Sequence, residues 1–175
     1  MPSASQLPPF AFRDVAPAAA APATLTLHQS PCFGLTLSAP TRWVVDADSF
    51  GPFGYQDSTG ATFYDEQIGL KLNLTYTYLP QVDAVEGSRH PGDALSFGNG
   101  SYLVIKDEAV TVAGGNGIMS LTSETGFGEP NMHLGYVVRI KPARYLHISA
   151  FFQRPYSEQA FAEVKALVAS IAIAK

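Results

Sequence analysis

Between residues 68 and 79 the chain alternates with a period of two. Leu70, Leu72, Leu74, Tyr76 and Tyr78 fall on one face, and Lys71, Asn73, Thr75 and Thr77 on the other. Successive side chains of a β-strand point to opposite faces, so this run predicts a strand with one apolar and one polar face. That pattern suits an antiparallel sheet, since parallel strands buried on both faces read as continuous apolar runs. Whatever else the chain builds must pair this strand along its edges and cover its apolar face.

The same rhythm recurs along the chain. It is present at 24–28 and 33–37, breaks at Ser38-Ala39-Pro40-Thr41, and resumes at 43–45. A short strand is expected at 61–65, and further strands at 102–106, 109–112, 117–123, 134–140 and 145–152. Pro142-Ala143 reads as a tight turn joining the last two. That turn would set Lys141 opposite Arg144, His147 opposite Val138, and His133 opposite Phe152. Residues 47–60, rich in Gly, Ser and Asp, read as a loop. Residues 80–100 lose the alternation and leave room for one short helix near 82–86 or 92–97. The end of the chain changes period: Phe161, Val164, Leu167, Val168 and Ile171 recur at three- and four-residue spacing, an apolar helical stripe. Ser157 is placed as its N-cap, with Glu158 in the first turn. An isolated helix of this length is marginal, so it must lie on the sheet. The expected fold class is α+β, a mainly antiparallel sheet carrying a long C-terminal helix on one face. A Gly114-Gly115-Asn116-Gly117 run between two strands reads as a hairpin turn rather than a phosphate loop, which would open a helix.

Residues 1–23 hold five prolines and many alanines. Proline fixes φ and removes a donor, so this segment reads as a disordered tail or tether, and residues 24–175 as a single domain. Such a tether suits a periplasmic or otherwise extracytoplasmic protein whose export signal has been removed. The alternative is a cytoplasmic protein that starts at Met1.

The function classes narrow by chemistry. With 11 Lys and Arg scattered along the sequence and a net charge of −4, there is no basic field to hold nucleic acid. No apolar run approaches the ~20 residues that a membrane-spanning helix needs. Cys32 lacks the small apolar residues that would precede a lipid-anchored cysteine and has no base beside it in sequence, so it reads as a strand-edge residue. His28, His90, His133 and His147 show no metal-binding spacing; His133 and His147 come nearest but are set far apart by the hairpin. Neither metal nor cofactor is expected, and no catalytic residue is assigned.

The segment Phe33-Gly34-Leu35-Thr36-Leu37-Ser38-Ala39-Pro40-Thr41-Arg42-Trp43-Val44-Val45 resembles the opening of PsbP/Mog1-like domains, in which a strand, a proline turn, a tryptophan and a second strand lead into a meandering sheet. The last strand and terminal helix keep the family's order, so the resemblance runs from about residue 24 to 173. It implies the α+β fold already read from the periodicity. It carries no catalytic residue, because the group is functionally diverse. It includes exported and secretion-associated bacterial proteins, and so implies a protein-binding role such as an immunity protein or chaperone for a secreted effector. A small-molecule or lipid carrier, with its ligand between sheet and helix, is the alternative. Two aromatic, Gly-rich loops, 50–55 and 126–132, are the expected partner surface, through Phe50, Phe53, Tyr55, Phe127 and Met132, since loops carry contacts more often than scaffold does. The competing reading has the same rings covering the sheet edge.

Overall fold

The computed structural model describes residues 24–53, 57–78, 94–97, 100–124, 132–153 and 158–174. The strands are β1 (Leu25–Gln29), β2 (Thr36–Pro40), β3 (Val44–Val45), β4 (Pro52–Phe53), β5 (Ser58–Asp65), β6 (Leu70–Tyr78), β7 (Ala94–Phe97), β8 (Gly100–Val112), β9 (Gly115–Glu124), β10 (Met132–Lys141) and β11 (Arg144–Phe152), followed by one helix, α1 (Glu158–Ser170). Nine strands form one antiparallel sheet in the order β3-β5-β6-β11-β10-β9-β8-β7, with β4 also paired to β5. The alternating run at 70–78 is β6, flanked by β5 and β11. Its Leu70, Leu72, Leu74 and Tyr76 are buried, whereas Tyr78 at the strand end is exposed beneath the Arg144 guanidinium.

The second layer is built from the two ends of the described chain. β1 and β2 form a separate hairpin. Its Leu35, Leu37 and Ala39 share one core with Leu72, Leu74, Leu146 and Ile148 of the sheet and with Phe161, Val164, Leu167, Val168 and Ile171 of the helical stripe. Phe161 stacks on Phe152 with ring centroids 4.3 Å apart. β2 is also held from the C-terminal side: Thr36 and Ala172 exchange main-chain hydrogen bonds of 2.8 and 2.9 Å, and Ser170 Oγ accepts from Ser38 N at 2.8 Å.

The proline turn has a defined job. Pro40 O accepts from Trp43 N at 2.9 Å, which turns the chain sharply and drops Trp43, 4% exposed, edge-on against Phe63. The same turn aims Arg42 at both layers. Its Nε donates to Asp65 Oδ2 at 2.8 Å, its Nη1 donates to Glu163 Oε1 at 3.0 Å, and its Nη2 pairs with Glu163 Oε2. The Asp65 side chain is only 3% exposed, and a charge that buried needs a partner.

Several expectations change. The helix placed at 92–97 is instead β7, an edge strand hydrogen-bonded to β8; the short run lacks any alternation by which to tell strand from helix. The other helix site, 82–86, lies outside the described residues, as do the tail 1–23 and Ser157. The segments 102–106 and 109–112 are one strand, β8: the charged pair Asp107-Glu108 between them is laddered to Ser120 and Met119, and a bulge lies upstream between Val104 and Lys106. The 47–60 loop is shorter than expected, because β4 and the start of β5 occupy part of it. The β8–β9 turn falls on Ala113 and Gly114, with φ of 50° and 78°, leaving Asn116 and Gly117 in β9. In the last hairpin Lys141 does face Arg144, but a second bulge between Arg139 and Lys141 shifts the pairing beyond it by one. His147 therefore lies opposite Val137, and His133 opposite Phe151. The two histidines stay four rungs apart, roughly 13 Å along a strand. Cys32 sits in the β1–β2 turn, partly buried with a free thiol, rather than on a strand edge.

Three measurements check this architecture. Leu167→Ala, at a position 1% exposed, should cost about 2–5 kcal/mol in denaturant unfolding. Arg42→Ala strands Asp65 without its cation. With the Arg42 side chain 33% exposed, the loss should be about 2–3 kcal/mol, below the ~3–5 kcal/mol of a fully buried pair. Burial lowers the pKa of His28 and of His147 below the ordinary 6.5. Their neutral forms are favoured in the fold, so the unfolded chain takes up protons first. This contribution is fully present above pH 6.5 and is lost as pH falls through the lowered folded values. The melting temperature should therefore drop between about pH 7 and pH 5, and His28→Gln should flatten part of that drop.

Candidate functional site: the base of the aromatic loop

The 50–55 segment enters β4 from a built platform. Phe50 adopts φ of 66°, a left-handed conformation that costs a bulky residue about 1–3 kcal/mol and persists only where its surroundings enforce it. Here they do. Phe50 N donates to Gly60 O at 2.6 Å. Ser30 Oγ donates to Phe50 O at 2.9 Å, and Thr59 Oγ1 donates to Gly51 O at 3.0 Å. Ser30 and Thr59 are 1% and 0% exposed, and their hydroxyl oxygens lie 2.8 Å apart. Two buried hydroxyls thus hold the two carbonyls that immediately precede β4. Ser30 reaches this position because Phe33 and Gly34, both near φ of 60°, fold the β1–β2 turn back; Ser30 N donates to Leu35 O at 2.8 Å and Ser30 Oγ accepts from Cys32 N at 3.1 Å. Gly34 is needed there, since a Cβ would come 2.5 Å from that of Ala174.

The returning end of the loop is held by Arg144. Its Nη1 donates to Asp57 O, and its guanidinium carbon lies 4.7 Å from the ring centre of Phe33, 5.0 Å from Tyr78 and 5.8 Å from Tyr76. A planar cation on aromatic faces is attracted to their electron density. Burial raises the pKa of Tyr76, with Arg144 acting in the opposite direction, so its phenol stays neutral.

The five residues expected to meet a partner are distributed unevenly. Phe50 is half-buried; its ring stacks on His28 at 5.5 Å and meets Phe63 edge-on at 6.1 Å, so it covers the core at the sheet edge. Met132 opens β10 and is fully buried. The expectation that it belongs to a contact loop is corrected, because the apolar alternation of β10 begins one step earlier than its Gly/Pro-rich flank suggests. Phe53 lies in β4, paired with Ser58. Tyr55 and Phe127 lie outside the described residues. The sequence did not single out Ser30, Thr59 or Arg144. Two are hydroxyl residues without a local motif, and Arg144 acquires its role from rings contributed by two other elements.

No family model matches the chain, and no curated protein matches it in sequence. Among solved structures, the chain is similar to the solution structure of cyanobacterial PsbP (CyanoP) from Synechocystis sp. PCC 6803, with a TM-score of 0.54 and 12% identity, over 91% of this chain and 98% of that one. The antiparallel sheet with its C-terminal helix is therefore a PsbP-like α+β fold.

Proposed function

We propose that the chain is a non-catalytic protein-binding module whose contact surface is centred on the 50–55 loop, with Phe53 and Tyr55 as its anchors and Phe127, of the other expected loop, as a further contact. The observation that carries this reading is that the loop is fixed at both ends: Ser30 and Thr59 hold the carbonyls of Phe50 and Gly51, and Arg144 holds that of Asp57. A loop fixed at its base loses less conformational entropy on binding. Within this class, the exported and secretion-associated members of the group that the opening segment resembles favour an immunity protein or chaperone for a secreted effector, acting outside the cytoplasm on the 1–23 tether.

The carrier alternative draws less support. The space between sheet and helix is filled by Leu72, Leu74, Tyr76, Leu146, Val164 and Leu167, all at 1% exposure or less. Tyr76, the side chain through which a carrier would take its ligand, packs edge-on to Phe33 at 5.5 Å.

Affinity capture with mass spectrometry would supply the partner, and calorimetry on variants would test the surface. Aromatic hot spots cost 2 kcal/mol or more on truncation, roughly thirtyfold in affinity. Phe53→Ala and Phe127→Ala should each weaken binding by about that factor with the melting temperature unchanged. Ser30→Ala, away from the contact itself, should weaken it by a smaller factor by freeing the loop base. Normal binding by both loop variants would overturn the reading, and loss of a small-molecule ligand on changing Tyr76 would favour the carrier.

A further inference from the structure

β1 is an edge strand of an unusual kind. Thr41 N donates to Thr24 O and Ser30 N to Leu35 O, both at 2.8 Å, and the register pairs Thr26 with Ala39 and His28 with Leu37. Hydrogen-bonded and non-bonded pairs alternate along an antiparallel ladder, so positions 24, 26, 28 and 30 spend their main-chain groups on β2. Leu25, Leu27 and Gln29 turn their N–H and C=O groups the other way. Among the described residues no strand pairs with that edge, whereas the far edge of β2 is occupied by Ala172. The side chains reinforce the point. Thr26 and His28 face inward, the latter onto Phe50 and Phe63, while Leu25 and Leu27 are 58% and 69% exposed on the outer face.

Edge strands of monomeric proteins are blunted by charge, proline, bulges or shortness. At the β3/β4 edge this chain uses shortness and Pro52, with strands of two residues each. β1 has none of these devices: its five residues, Leu-Thr-Leu-His-Gln, carry no Asp, Glu, Lys, Arg or Pro, and its ladder to β2 is unbroken. We propose that this edge pairs with the same edge of a second copy, in an isologous dimer with a two-fold axis through the Thr26 pair. The occupant follows from charge and register. A strand without formal charge offers nothing to a charged peptide and meets no like charge in its own antiparallel copy. That register sets Leu25 of each copy opposite Leu27 of the other. Both are outward-facing positions, so four main-chain hydrogen bonds form together with two cross-strand leucine pairs. Such a self-complementary patch is what a two-fold interface requires. A seam of one five-residue strand per copy is small beside the interfaces of stable complexes, so the dimer is weak.

This inference is independent of the loop surface, and its test leaves that surface unchanged. Sedimentation equilibrium of the full chain across about 0.01–1 mM should show a monomer–dimer equilibrium. Leu27→Pro removes an outward N–H without touching a β1–β2 hydrogen bond, and Leu25→Lys installs a charge on the seam. Each should weaken dimerisation at least tenfold with an unchanged melting temperature. Hydrogen exchange on the wild type reads the same seam without mutation: the Leu25 and Leu27 amides should gain protection with concentration, while those of Thr26 and His28 are protected throughout. A chain monomeric over the whole range, a dimer unaffected by both variants, or outward amides indifferent to concentration would each overturn the proposal.

Discussion

The Arg42 guanidinium is the joint on which the two layers depend. It starts from a turn closed by Pro40 and Trp43, meets a carboxylate at the end of β5 that is nearly out of water, and reaches a second carboxylate on the helix. Dispersion and apolar burial hold the sheet and helix together without specifying their relative position, since hydrophobic contact is non-directional. A planar fork fixed to two acids does specify it. Gln159 adds a 3.0 Å bond to Glu163 on the same helix, so the acid's orientation is itself constrained. The proline turn is thus a device for delivering a cation and an aromatic side chain to opposite sides of one corner.

Much of the architecture was legible in the sequence, and the reasons are particular. β6, β10, β11 and α1 each present an uninterrupted apolar period, so their type and buried face followed directly, and the helical stripe from Phe161 to Ile171 is buried at every position expected. What escaped was whatever a bulge or a local context decides. The charged pair Asp107-Glu108 split one strand into two apparent ones, and an extra residue at Ile140 moved the histidines by one rung. The leucines of β1 obey the period but face outward, because that face is chosen by the contacts of Thr26 and His28 rather than by hydropathy.

The loop platform was the least legible part. Phe50 was visible as an aromatic in a Gly-rich stretch. Its left-handed backbone, and the two buried hydroxyls that sustain it, arise from segments 20 and 29 residues apart in the chain. Composition can mark a loop as unusual; which end is rigid depends on partners that no local pattern announces. Both readings of the aromatic loop thereby find a place. Phe50 belongs to the cover of the sheet edge, and the loop beyond it starts from a fixed point.

The bridge between Thr36 and Ala172 joins segments that lie far apart in sequence, as does the bond between Ser38 and Ser170, 132 residues on. Leu35 and Leu37 gain their cover only when both segments are in place. Contacts of so large a sequence separation form late and leave apolar surface open meanwhile. The strip after the helix therefore acts as a latch: the second layer closes only once hairpin and helix have found one another.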